Sequence, residues 1–249
     1  MAFNVYNDNL ALQGLLENAS AYFEDVVAVH AGPSGRRSTD GTIETLERWG
    51  IRTVFASIDD GFGVVRTRLI RESKTDWVMI MDCDERFYPN APILRCEGDE
   101  AYPAIADPKL TVIQDGSYNQ GQLLKDIITQ PEIRAVKAIR RHWFKPGFTK
   151  PCQNWMKIPD YQLRIVKNAP EIRYDPNVRM HEKIQDGANG NGEPKCSMWN
   201  ADDPKGIFYD HLHCFFKAQE PAQRQEDIKI FDAIHFGKQA ETWKELGYA

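Results

Sequence analysis

The sequence predicts an α/β fold: a mostly parallel central sheet flanked by helices, followed by an irregular second half. Three observations carry that prediction. Short apolar runs alternate with segments of helical period through the first ninety residues, and strands alternating with helices of about ten residues build βαβ units. The apolar runs have strand length and are rich in β-branched residues. No internal repeat or linker interrupts the chain, and 249 residues suit one domain of ordinary to large size.

The elements follow in order. Phe3 to Tyr6 is a short apolar run closed by the turn-formers Asn7 and Asp8. Leu10, Leu12, Leu15, Leu16 and Ala19 then repeat at helical spacing, with Gly14 a mild weakness. Val26 to Val29 reads as a buried strand, and the polar loop AGPSGRRS follows it. Thr39-Asp40 opens a helix carrying Ile43, Leu46 and Trp49, which Gly50 stops. Ile51 to Phe55 is the next strand. After the loop SIDDGFG comes a helix with Val64, Val65, Leu69 and Ile70. Asp76 introduces the strand WVMIM, which ends abruptly on Asp82. In such sheets ligands bind at the carboxyl ends of the strands, so the segments after Tyr6, Val29, Phe55 and Met81 share one rim.

The second half is less regular. Residues 88–120, rich in Pro, Gly and Asp, read as a long excursion. Ile133 to Ile139, Tyr161 to Val166 and Ile207 to Tyr209 read as strands, and 186–206 as a mobile loop. From about Glu220 to Leu246 the pattern is one or two polar helices.

Composition excludes several classes. Hydrophobic residues at 42% and charged residues at 27% are values of a soluble globular protein, too apolar for a disordered one. The net charge of −5 gives no bulk field for a polyanion, though a local basic patch is compatible with it. No apolar run approaches the roughly 18 residues needed to span a bilayer, and MAFNVYNDNL lacks the features of a signal peptide. Five dispersed cysteines (Cys83, Cys96, Cys152, Cys196 and Cys214) without C-x-x-C point to reduced thiols and a cytoplasmic location.

The sharpest chemical feature is Asp82-Cys83-Asp84-Glu85, directly after WVMIM. Two carboxylates at i and i+2 on a strand end can share a divalent cation, and such oxygen ligands suit Mg²⁺ or Mn²⁺. A solvated acidic turn is the alternative for a bare D-x-D; the position after a buried parallel strand argues for a ligand. Ser38-Thr39-Asp40-Gly41-Thr42 lies on the loop after the second strand, where Ser38, Thr39 and Asp40 also suit helix capping.

Taken in order, these segments resemble family-2 glycosyltransferases of the GT-A fold. The resemblance rests on Tyr6-Asn7-Asp8, VVAV, STDGT, Arg66 in GFGVVRTRL, and WVMIMDCDE, then HWFKPGF, PDYQLRIVKN and VRMHEKI. It covers roughly residues 1 to 215. It implies a nucleotide-sugar donor, a UDP-sugar first among them, with the diphosphate held by Mn²⁺ or Mg²⁺ on Asp82 and Asp84. In the family the second carboxylate usually contacts the ion, while the first more often reaches the ribose or a metal-bound water. Arg66 lies near the diphosphate, and Tyr6, Asn7, Asp8, His30, Asp40 and Cys83 belong to the donor site. The family usually carries Asp where this chain has His30, and the loop after it is lengthened by Pro33 to Arg37.

By the same resemblance, Asp160 occupies the place of the family's general base, which takes the acceptor hydroxyl's proton as the new bond forms. His181 is the implied third metal ligand, with His211 as the alternative. His211 and His213 alternate on a strand, so only one of them faces the site. Glu182 serves either acceptor hydroxyls or the base role. Residues 134–150 hold six Lys/Arg and no acid, interleaved with Trp143, Phe144 and Phe148. They read as an acceptor surface or as a solvated strand and loop. Arg140, Arg141 and Trp143 there, with Trp155, are the acceptor-binding candidates.

The expected arrangement is thus a single GT-A domain over 1–249. Residues 1–90 form the nucleotide-sugar-binding half, 91–215 the acceptor side, and 216–249 a helical tail. The expected activity is metal-dependent, inverting hexosyl transfer to an unknown acceptor hydroxyl on an anionic saccharide, a lipid-linked glycan or a nucleic acid. Two other readings remain: a nucleotidyltransferase of related fold, and a nucleic-acid-binding module using 134–150.

Overall fold

The computed structural model describes residues 1–90, 93–96, 110–113, 119–142, 160–176, 183–197 and 206–211. It opens with β1 (Ala2–Val5), α1 (Asn9–Tyr22), β2 (Val27–Gly32), α2 (Thr42–Arg48), β3 (Arg52–Ser57), α3 (Phe62–Glu72) and β4 (Trp77–Met81). There follow β5 (Glu85–Arg86), β6 (Ile93–Cys96), β7 (Leu110–Ile113), α4 (Gln120–Ile128), β8 (Ala135–His142) and β9 (Asp160–Lys167). The last are β10 (Ile172–Tyr174), β11 (Ile184–Asp186), β12 (Cys196–Ser197) and β13 (Phe208–His211).

The expected mostly parallel sheet with flanking helices is what forms. Its strand order is β3-β2-β1-β4-β9-β8-β13-β5, with β12 beside β8. The first four strands are mutually parallel, whereas β9 runs antiparallel to both β4 and β8. The turns after β1, β2, β3 and β4 therefore meet on one rim.

β1, β2 and β4 are largely apolar because both of their faces are covered. Phe3, Val5, Ala28, Met79 and Met81 pack under Leu12, Leu15 and Leu16 of α1 and Leu46 of α2. Ala2, Val27, Val29, Val78 and Ile80 pack on the other face against Val65, Leu69 and Ile70 of α3. Arg71 ties α3 to the β9–β10 turn, its guanidinium donating to the carbonyls of Ala169 (3.0 Å), Pro170 (2.9 Å) and Ile172 (2.5 Å).

Some expectations are corrected. The second helix begins at Thr42 rather than at Thr39-Asp40, because Gly41 turns left-handed (φ 87°) and its carbonyl accepts from Thr45 N–H at 3.0 Å. The 88–120 excursion contains the antiparallel pair β6–β7 and leads into α4. Part of the expected mobile loop at 186–206 is ordered structure: Asp186 caps Ala188 N–H at 3.0 Å, and Cys196-Ser197 add a parallel strand to β8. Two- and three-residue strands have too few positions to show a period. The polar helices expected after Glu220 lie outside the described residues.

Gly32, at the end of β2, is held by close approach. A Cβ there would stand 2.0 Å from the Arg36 carbonyl oxygen and 2.7 Å from the Tyr6 ring. Gly32→Ala is expected to lower stability by about 1–3 kcal/mol, the usual cost of overpacking. A urea titration checks it: the midpoint should fall with unchanged slope.

Candidate active site on the strand-end rim

The site is built where β4 stops. Asp82 O accepts from Glu85 N–H at 3.0 Å, and Glu85 Oε2 accepts from Asp82 N–H at 2.8 Å. This reciprocal turn fixes the backbone of the acidic segment. Cys83, buried between the two acids, points inward and donates to the Asn4 carbonyl at 3.6 Å. Arg86 crosses under α1, donating to the carbonyls of Cys83 and Glu85 (2.7 Å each) and of Ala11 (2.9 Å). Gly14 leaves it room: a Cβ at that position would lie 2.7 Å from Arg86 Nη2. What reads as a weakness in the helix is the passage for a buried cation.

Asp82 sits between two guanidinium groups. Arg66 Nη2, from α3, donates to its Oδ1 at 3.0 Å, and Arg164 Nη2, from β9, donates to its Oδ2 at 3.0 Å. The same Arg164 nitrogen donates to Glu85 Oε1, and Arg164 Nε donates to the Tyr209 hydroxyl at 3.2 Å. Burial opposes the charged form of Asp82, yet Arg66 and Arg164 outweigh it and hold its pKa at about 2. Glu85, fully buried, behaves oppositely. Burial pushes it up to about 8; Arg164 opposes the shift, and Asp82 and Asp84 reinforce it.

Asp84 faces the other way. The strand β5 pairs antiparallel with β13, setting His211 opposite Glu85. This brings His211 Nε2 to 3.5 Å from Asp84 Oδ2, both side chains half-buried. Among the described residues, no cluster of three or more His, Cys, Asp or Glu side chains could hold a metal ion.

Next along the rim, the turn after β1 and the STDGT loop are laced together. Asn7, left-handed at φ 49°, donates its N–H to Ser38 Oγ at 2.9 Å, and its Oδ1 accepts from Thr39 N–H at 2.9 Å. Asp8 N–H donates to Thr42 Oγ1 at 3.1 Å. Asn9 N–H donates to one Asp40 oxygen at 2.9 Å, and the Thr42 hydroxyl to the other at 2.6 Å. His30 is 1% exposed and lies between Tyr6, edge-on at 5.8 Å, and Phe55 at 5.2 Å. Its Nε2 accepts from Ser38 N–H at 3.1 Å, so the proton of the neutral ring is on Nδ1. His30 therefore fastens the loop from inside, turned toward Ser38.

The structure thus brings Tyr6, Asn7, Asp8, His30, Asp40, Arg66, Asp82, Cys83, Asp84 and His211 to the rim or directly beneath it. Arg140 is half-buried on β8, opposite Tyr209 of β13 and Asp160 of β9. Asp160 opens β9 by its backbone; its side chain and that of Arg141 lie outside the described part. Trp143, Trp155, His181, Glu182 and His213 lie outside the described residues. Sequence reasoning passed over Arg164, Arg86 and Tyr209, and gave Glu85 no role. The available signal was a lone Arg inside the apolar stretch Leu163 to Val166.

A pH dependence follows from His30. Burial, foremost, holds its pKa below the ordinary 6.5. On acidification the unfolded chain therefore takes up this proton before the folded one does, and stability falls as pH drops below about 6.5. Urea midpoints at pH 7 and pH 5 should show this fall in the wild type, and a smaller one in His30→Gln. Equal falls in both would assign the slope to other groups.

Comparison with known proteins adds the following. Residues 36–156 match the model of glycosyl transferase family 2. No sequence relative is found among curated proteins. Among solved structures, the chain is similar to residues 1–349 of TarS from S. aureus, with 12% identity over 97% of this chain and 72% of that one, TM-score 0.46. The longer TarS chain aligns with 13% identity over 95% of this chain and 43% of its own length, TM-score 0.45. Glucosyl-3-phosphoglycerate synthase from Mycobacterium tuberculosis, solved with Mn²⁺, UDP and glucosyl-3-phosphoglycerate, aligns with 16% identity over 56% of this chain and 43% of that one, TM-score 0.35. The matched stretch runs from the STDGT loop through the acidic turn to Trp155.

Proposed function

We propose that this chain is a nucleotide-sugar glycosyltransferase that moves a hexosyl group from a UDP-sugar to an acceptor hydroxyl, with inversion and with a divalent cation. The observation that carries the proposal is the division of labour at the end of β4. Asp82 is neutralised by Arg66 and Arg164, whereas Asp84 stands beside the His211 imidazole.

The Asp84–His211 pair fits a divalent ion by donor chemistry. An oxygen and a nitrogen donor suit Mn²⁺ better than Mg²⁺, which takes oxygen ligands, and two protein ligands leave positions for diphosphate oxygens. When bound, the ion would neutralise charge on the departing nucleoside diphosphate. Arg66, on α3, is held by Asp82 at the same strand end and adds a fixed positive charge near the phosphates. The laced turns around Asn7 and Ser38, with Tyr6 against His30, form the wall for the nucleoside. Asp160, at the start of β9, takes the acceptor proton in this reading. Residues 1–90 hold the donor, and 91–215, with Arg140, Arg141, Trp143 and Trp155, face the acceptor.

Two variants test the reading against donor binding and turnover. Asp84→Asn should fold normally and lose Mn²⁺-dependent binding of UDP. Asp160→Asn should keep that binding and lose turnover by about 10²–10⁴-fold, the usual contribution of a general base. Turnover at wild-type rate in Asp84→Asn would refute the metal assignment. A larger loss in Glu182→Gln than in Asp160→Asn would transfer the base role to Glu182.

A further inference from the structure

Arg164 is an unusual residue for the middle of a sheet. It lies on β9 between Leu163 and Ile165 and is 4% exposed. Burying a guanidinium costs stability unless its donors are met, and an apolar replacement for a buried ion pair is often no less stable. Here two of its three nitrogens have partners: Nη2 donates to Asp82 Oδ2 at 3.0 Å and to Glu85 Oε1, and Nε to the Tyr209 hydroxyl at 3.2 Å, while Nη1 is buried with no hydrogen-bond partner among the described residues. Glu85, itself fully buried, holds the Asp82 N–H. Arg164 and Glu85 together thus fix the main chain and the side chain of Asp82. Asp82 in turn positions Arg66, through contacts of 3.0 and 3.3 Å to its two oxygens. At 4% exposure Arg164 is behind this layer, so its influence on a ligand at the rim passes through Asp82.

We propose that Arg164 is a positioning residue of the donor site: acting through Asp82, it sets the acidic turn and Arg66 in the arrangement that receives a nucleoside diphosphate. This rests on the reading of the rim as a nucleotide-sugar site.

The test measures UDP affinity in the presence of Mn²⁺ by calorimetry, beside the unfolding midpoint, on the full chain. Arg164→Lys keeps one charge but loses the planar fork that reaches Asp82, Glu85 and Tyr209 together. It should bind UDP about 10-fold more weakly or worse, the scale on which residues behind a ligand shell act. Removing Arg164 alone would leave Glu85 without this partner, so Arg164→Met/Glu85→Gln removes the buried pair together. That double variant should unfold cooperatively and show the same loss of affinity. In an Asp82→Asn background, Arg164→Lys should cost less than about two-fold more, because coupled residues are not additive. Arg71→Met, which loosens α3 from the β9–β10 turn, should lower the unfolding midpoint and leave UDP affinity unchanged. Wild-type affinity in the folded double variant overturns the proposal, as does a full loss that simply adds to that of Asp82→Asn. If the wild-type chain binds neither UDP nor any other nucleoside diphosphate, the glycosyltransferase reading itself fails, and this proposal with it.

Discussion

The arrangement of the rim depends on one buried cation. Arg164 reaches from β9 to the acidic turn after β4 and to Tyr209 on β13, joining three strands that are distant in sequence. Without it, Glu85 would lose its ion-pair partner among the described residues, and the turn would lose a side chain that orients Asp82. The charge count explains why the acids differ. Two guanidinium groups face Asp82, and it remains ionised far below the usual carboxylate range. Glu85 shares only one of them and is fully buried, so its charge is disfavoured. Asp84, on the far side of the turn, lies beside an imidazole instead. Three acids within four residues thereby acquire three environments from one strand end.

A second constraint acts next along the rim. The turn after β1 and the STDGT loop share a ladder of side-chain to backbone hydrogen bonds from Asn7 to Thr42. Polar side chains that could cap a helix are used to join two loops. His30 fits this scheme as a neutral acceptor for Ser38 N–H. The longer loop from Pro33 to Arg37 is tied down separately, with Ser34 N–H donating to Asp59 at 2.9 Å and Arg37 lying over the Phe55 ring at 4.6 Å.

The first half of the fold was legible in the sequence because its signals are additive and local. VVAV and WVMIM are apolar on both faces, and the apolar spacing of α1 repeats from Leu10 to Ala19. The rim followed from parallel pairing alone. The shortest strands were not legible: β5, β10 and β12 span two or three residues and exist only through their partners. Asp82, Asp84 and Arg66 stood out because motif and topology coincide there. Arg164 was hidden because its partners lie 82, 79 and 45 residues away, and a lone Arg in an apolar run has no periodic signature. The space that Gly14 leaves for Arg86 was hidden for the same reason: it is a contact no local pattern contains.

The central claim is that this rim binds a nucleoside diphosphate through a divalent ion. The most direct measurement is the shift in unfolding free energy on adding UDP to the wild-type chain, with Mn²⁺ and with EDTA. At 100 times its dissociation constant, UDP should add about 2.7 kcal/mol when Mn²⁺ is present and much less in EDTA. No stabilisation by UDP or any other nucleoside diphosphate, with Mn²⁺ or without it, would contradict the account.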